Sequence, residues 1–292
     1  MQYEPPTVLV HCGCTVGEGP LYDETTQTLY WVDIPRGVLW RYSFRSGSAD
    51  FCEVGEPAGS LCPAGDDGFV IAARRGFLHL ERWDAEPILW RPVEHDLPTQ
   101  FNDGKCDSRG RFLAGTAAFE GKCPGALYCL DSDGTVTRLI SGVGMSNGLD
   151  WSPDDRLFYH VDSETRAVTR YSWDADDGVP HNPEALITLT AAEGLPDGLS
   201  VDADGYLWIA VWGGSQVRRY DPAGRLVGRI LLPTPNVSSC TFGGPDLSDL
   251  FITTAAAGVA PDSPGWEYAG SLFMVPAVGR GQARKAFSGP IQ

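Results

Sequence analysis

The sequence predicts an all-β chain, a six-bladed β-propeller of four-stranded blades, with residues 1–292 forming a single domain. Two observations predict it. The 292 residues include 35 glycines and 22 prolines, above the usual ~7% and ~5%, which suits many short strands joined by tight turns rather than a helical bundle. One strand-turn-strand signature also recurs six times along the chain, at the spacing of a propeller blade.

Taken in order, the copies begin near Glu18, leading to Leu29-Tyr30-Trp31-Val32, and near Gly59, leading to Phe69-Val70-Ile71. The third runs from Asn102-Asp103-Gly104 through Asp107-Ser108-Arg109-Gly110 to Phe112-Leu113-Ala114. The fourth runs from Asn147-Gly148-Leu149 through Pro153-Asp154-Asp155 to Leu157-Phe158-Tyr159, and the fifth from Asp197-Gly198-Leu199 through Asp202-Ala203-Asp204-Gly205 to Leu207-Trp208-Ile209. The sixth joins Cys240 to Leu250-Phe251-Ile252. The starts lie about 44 residues apart, the length of one four-stranded blade. Further alternating runs fill the units, among them Val38–Tyr42, Ala126–Leu130, Val168–Tyr171 and Gln216–Tyr220. Two sandwiches in tandem would not repeat one turn in register six times, and no linker or charge block marks a boundary.

Composition narrows the partners. With 22 basic against 38 acidic residues, the formal charge is -16. Such a surface repels phosphate backbones and anionic lipid, so neither nucleic acid nor membrane is expected as a partner. No apolar run approaches a membrane span, and Met1-Gln2-Tyr3-Glu4-Pro5-Pro6 lacks the basic and apolar segments of a signal peptide. A cytoplasmic monomer is expected. The eight cysteines form no C-x-x-C pair and read as reduced thiols, Cys12 and Cys14 as small buried hydrophobes rather than a soft-metal site. The five histidines have no ligand spacing, and there is no G-x-S-x-G nucleophile elbow. The histidines read as surface or packing residues and the nine tryptophans as between-blade packing; the alternatives are His160 lining the channel mouth if its strand faces inward and Trp212 bordering the pocket.

Corresponding residues of successive blades converge at one end of a propeller's channel. The six repeat starts hold Glu18, Gly59, Asn102, Asn147, Asp197 and Cys240. Glu18, Asn147 and Asp197 offer hard oxygen donors to one divalent cation, with Asn102 as a fourth candidate. The competing reading is that the Asn-Gly and Asp-Gly pairs are turn chemistry at a blade edge.

Gly17-Glu18-Gly19-Pro20, Phe101-Asn102-Asp103-Gly104, Ser146-Asn147-Gly148-Leu149 and Pro196-Asp197-Gly198-Leu199, with Phe242-Gly243-Gly244-Pro245-Asp246 late in the chain, resemble the senescence-marker/gluconolactonase/luciferin-regenerating enzyme family, also called regucalcin-like. The resemblance spans essentially the whole chain in order. It implies a propeller that opens sugar lactones with one divalent cation, held by Glu18, Asn147 and Asp197. Calcium, zinc, magnesium, manganese and iron all suit such ligands. It further implies Asp197 as general base and Asn102 as a substrate contact. Two departures bear on specificity. Gln100 stands where many members have arginine, and Ala117-Ala118-Phe119-Glu120 stands where animal members carry adjacent acids. Gln100 and Glu120 are therefore candidate substrate contacts, for a sugar lactone other than gluconolactone. A promiscuous lactonase or esterase and a non-catalytic cation-binding propeller are the alternatives.

Overall fold

The computed structural model describes residues 3–65, 67–94, 99–118 and 124–290. After a short strand β1 (Thr7–Val10), blade 1 comprises β2 (Gly17–Asp23), β3 (Thr28–Asp33), β4 (Val38–Ser43) and β5 (Ser48–Glu53). Blade 2 comprises β6 (Ala58–Ala64), β7 (Gly68–Ala73), β8 (Gly76–Leu80) and β9 (Ile88–Pro92), and blade 3 β10 (Thr99–Cys106), β11 (Phe112–Ala118), β12 (Gly125–Leu130) and β13 (Val136–Val143). Blade 4 follows with β14 (Ser146–Trp151), β15 (Leu157–Asp162), β16 (Ala167–Trp173) and β17 (Pro180–Thr188). Blade 5 has β18 (Leu195–Val201), β19 (Leu207–Trp212), β20 (Gln216–Tyr220) and β21 (Leu226–Leu231). Five blades are thus antiparallel meanders of consecutive strands. The expected six four-stranded blades are present.

Blade 6 is built from both regions of the chain. Its strands β22 (Val237–Gly243), β23 (Asp249–Thr254) and β24 (Leu272–Val275) are completed on the outside by β1. Thr7 lies opposite Met274 and Val8 opposite Phe273. The repeat spacing did not indicate this closure, because a four-residue strand carries no period of its own.

The turn signature has a common cause. The carboxylates of Asp107, Asp202 and Asp221 each accept two backbone N–H bonds from their own turns, at 2.8–3.1 Å. Each turn then passes through a glycine of positive φ, Gly110, Gly205 or Gly224, a conformation that favours glycine. Hydrophobic packing occurs between blades. Six buried clusters fill the six interfaces, and alternate side chains of one strand enter different ones. Phe112 and Ala114 pack toward blade 2, whereas Leu113 packs toward blade 4. The Trp31, Trp151 and Trp208 side chains are fully buried in this way.

A strap formed by residues 276–290 crosses the face opposite the starts of the innermost strands. Its contacts visit every blade. Val278 N–H donates to Ser248, Ala203 N–H to Arg280, Phe287 N–H to Pro63 and Ser288 N–H to Gly110, all to carbonyls. Gln282 Nε2 donates to the carbonyls of Trp151 and Val201, and Arg284 pairs with Asp23 at 3.2 Å.

Candidate active site

Each innermost strand carries one extra residue at the same height. Glu18 pairs with Val32 but Leu21 with Tyr30, and Phe101 pairs with Thr116 but Gly104 with Ala114. The same shift separates Ser146 from Leu149 and Pro196 from Leu199, and recurs at Gly59 and Ser238. Such bulges bend a strand and re-aim its side chains. Here they bring Glu18, Asn102, Asn147 and Asp197 to the wall of one cavity of ≈ 330 Å³.

Gly59 contributes no side chain, because a Cβ there would lie 2.2 Å from the Asn102 carbonyl oxygen. In blade 6 the equivalent position is Ser238, not Cys240. The count from the second strand overshot by two residues because beyond the bulge each of the two strands of this blade runs one residue further before the turn, Gly243 pairing with Asp249. Ser238 does not face the cavity wall; its hydroxyl donates to the Gly17 carbonyl and ties blade 6 to blade 1.

Hydrogen bonds orient the amides across three blades. The Pro196 carbonyl can only accept, so the Ser163 hydroxyl must donate to it, at 2.6 Å. The Ser163 oxygen therefore accepts from Asn147 Nδ2 at 2.8 Å, which leaves Asn147 Oδ1 facing Asn102. Asn102 Nδ2 donates to Asn147 Oδ1 and to the Ser146 carbonyl, both at 2.8 Å. Ser163 follows β15 rather than sitting on an innermost strand, so the repeat positions gave no signal for it.

The carboxyls make the site electrostatically costly. Glu18 is 3% exposed and Asp197 6%, and among the described residues neither forms an ion pair with lysine or arginine. Burial pushes the Glu18 carboxyl well above its ordinary range, and Asp197 and Asp103 add to the rise. Asp197 is pushed up likewise by burial and by Asp103, while a hydrogen bond with Glu18 opposes the shift. Two buried, mutually repelling carboxyls beside oriented amide oxygens fit a small divalent cation. Among the described residues no three carboxyl, thiol or imidazole groups converge as a separate cluster, including around Cys12 and Cys14. All seven described cysteines are free thiols.

The rest of the cavity wall is largely apolar, with Val16, Met145, Leu195, Trp212 and Ala257. Trp212 thus borders the pocket rather than serving only between-blade packing. His160 does not reach it. Its Nε2 is 2.7 Å from the Ser146 hydroxyl, its ring stacks on Phe158, and burial lowers its pKa to about 4. Gln100, also buried, accepts from Arg74 Nε at 3.5 Å and is not part of the cavity wall. Glu120 lies outside the described residues, as do Phe119 and Cys123.

The family description SMP-30/Gluconolactonase/LRE-like region fits residues 16–256. The chain belongs to this family. Within the SMP-30/gluconolactonase/LRE-like family, pentonolactonase XacC of Haloferax volcanii is 38% identical over 295 residues, covering 95% of this chain and 97% of its own. Regucalcin of Xenopus laevis is 34% identical over 287 residues, covering 94% and 95%. A solved regucalcin from Agrobacterium tumefaciens, described as a calcium-binding protein, superimposes with a TM-score of 0.92 at 27% identity, covering 98% and 97%.

Proposed function

We propose that this protein is a cation-dependent lactonase that hydrolyses a sugar lactone to the aldonic acid. One observation carries the reading furthest. Two buried carboxyls, without basic partners among the described residues, meet oriented amides in a largely apolar cavity, in a family that includes a pentonolactonase. In this reading Glu18, Asn147 and Asp197 hold one divalent cation, from calcium, zinc, magnesium, manganese and iron. When bound, the cation would supply Lewis acidity toward the lactone carbonyl.

The remaining roles belong to the chain. Asp197 serves as general base, its free carboxylate oxygen taking a proton from the attacking water. Asn102 positions a substrate oxygen through its amide, and Glu120 is a further candidate contact for a ring hydroxyl, whereas Gln100, off the cavity wall and bonded to Arg74, is assigned no contact. Ser163 fixes the rotamer of Asn147. Met145, Leu195 and Trp212 shield the reacting ester from bulk water and face the C–H side of the ring. Among the described residues no helix is long and apolar enough to cross a membrane. Action as a monomer on a small cytoplasmic metabolite is part of the same reading.

The test is proton release from a panel of aldono-1,4- and aldono-1,5-lactones, using metal-stripped protein and each divalent ion added back. Ion-dependent acceleration is expected, and Asp197→Ala should abolish it. Normal turnover in Asp197→Ala overturns the role of the base. Stoichiometric cation binding without turnover of any lactone favours the non-catalytic propeller.

A further inference from the structure

One residue below the cavity floor, the innermost strands present a second layer made of Gly19, Ser60, Asp103, Gly148, Gly198 and Ser239. Asp103 is the only ionisable side chain in that layer. It is 6% exposed, and its Oδ1 accepts from the Gly104 N–H at 2.7 Å. Five blades complete the layer without a carboxylate, so packing alone does not require one. Beneath it lies an axial chamber of ≈ 20 Å³ bordered by Asp103, Lys105 and Ser239, a volume on the scale of one water molecule. Lower still, Lys105 Nζ lies 3.0 Å from Asp150 Oδ2 and donates to the Leu199 carbonyl. Asp150 is itself held by the backbone N–H groups of Trp151 and Val201, each at 2.9 Å. The strap closes the column with Gln282.

We propose that Asp103 is a positioning residue, an outer countercharge to a cation held by Glu18, Asn147 and Asp197, with Lys105 and Asp150 continuing an alternating-charge column down the ring axis. The proposal rests on the cation site of the preceding reading. The charge balance favours it. Glu18, Asp103 and Asp197 crowd three buried carboxyls at the top of the column, whereas Lys105 lies lower, 3.0 Å from Asp150. A dication relieves the top of the column, and Asp103 strengthens its hold without touching it. Outer carboxylates act on metal affinity in this way.

The test uses metal-stripped full-length protein and Asp103→Asn, whose side-chain oxygen can still accept the Gly104 N–H. Calcium and terbium(III) affinities are read by titration calorimetry, and the thermal midpoint is read without metal. Calcium binding should weaken about 10- to 100-fold. Terbium(III) should weaken more than calcium, because the lost interaction scales with cation charge. The metal-free midpoint should rise, since one repelling carboxylate is gone. Unchanged affinities overturn the proposal. Equal weakening of both cations with a lower metal-free midpoint also overturns it and assigns Asp103 a packing role. If Asp103→Asn does not fold, Lys105→Gln carries the test with reversed signs, tighter cation binding and a lower metal-free midpoint. Wild-type protein that binds neither of these cations, nor zinc, magnesium, manganese or iron, overturns the cation site itself, and the countercharge with it.

Discussion

His160 shows how a buried side chain supports the site without entering it. The ring is held between Phe158 and the Ser146 hydroxyl, one residue from Asn147. Burial depresses its pKa to about 4, from an ordinary value near 6.5. The folded protein therefore keeps the ring neutral while the unfolded chain takes up a proton, so stability is lost as pH falls from ~6.5 through ~4. The size is about 3 kcal/mol for a shift of this order. Urea unfolding across that window should show stability rising with pH, and His160→Gln should flatten the slope. An unchanged slope would assign the titration to another group. His160 takes the packing role expected of the histidines rather than the channel-mouth place an inward strand would give it, for a related reason. Strand alternation fixes which face a residue takes but not which blade interface that face meets.

At the scale of the strand, the bulge determines both access and chemistry. Asn102, Asn147 and Asp197 were legible because each lies ten residues before an apolar strand, and Glu18 because it lies eleven before one. Cys240 was misplaced because the same offset was applied to a blade whose two inner strands each run one residue further beyond the bulge, and Ser163 went unseen because it follows a second strand. Close approach between strands explains why glycines accompany the polar residues. A Cβ on Gly148 would lie 2.3 Å from the Leu199 backbone nitrogen and 2.7 Å from the Asp197 carbonyl oxygen. Gly148→Ala should therefore force β14 and β18 apart and destabilise the protein by about 3 kcal/mol, measured by chemical unfolding. Wild-type stability would mean that the strands can separate freely at this point.

For the molecule as a whole, the blade count was legible from the repeat, but its two fastenings were not. Thr7–Val10 is too short to show a period, and residues 276–290 make irregular contacts that follow no pattern. The strap nevertheless touches all six blades and seals the axial column below Lys105 and Asp150. Removing residues 279–290 should lower the thermal midpoint by roughly 5–10 °C, as expected for a loss of a few kcal/mol in a chain of this size. The lactonase reading adds that turnover at 25 °C should survive the truncation. An unaltered midpoint would show that the blade interfaces alone hold the ring.

The pairing of β1 with β24 also sets a timetable for biosynthesis. Thr7 and Met274 are 267 residues apart in sequence yet bonded in blade 6. A ribosome adding ~5–20 residues per second takes roughly 13–53 s to span that distance. For that interval the emerging first strand has no partner, and the last blade cannot exist. Blades 1 to 5 can form while translation continues, but the ring can close only once β24 clears the exit tunnel and recruits β1, made 267 residues earlier.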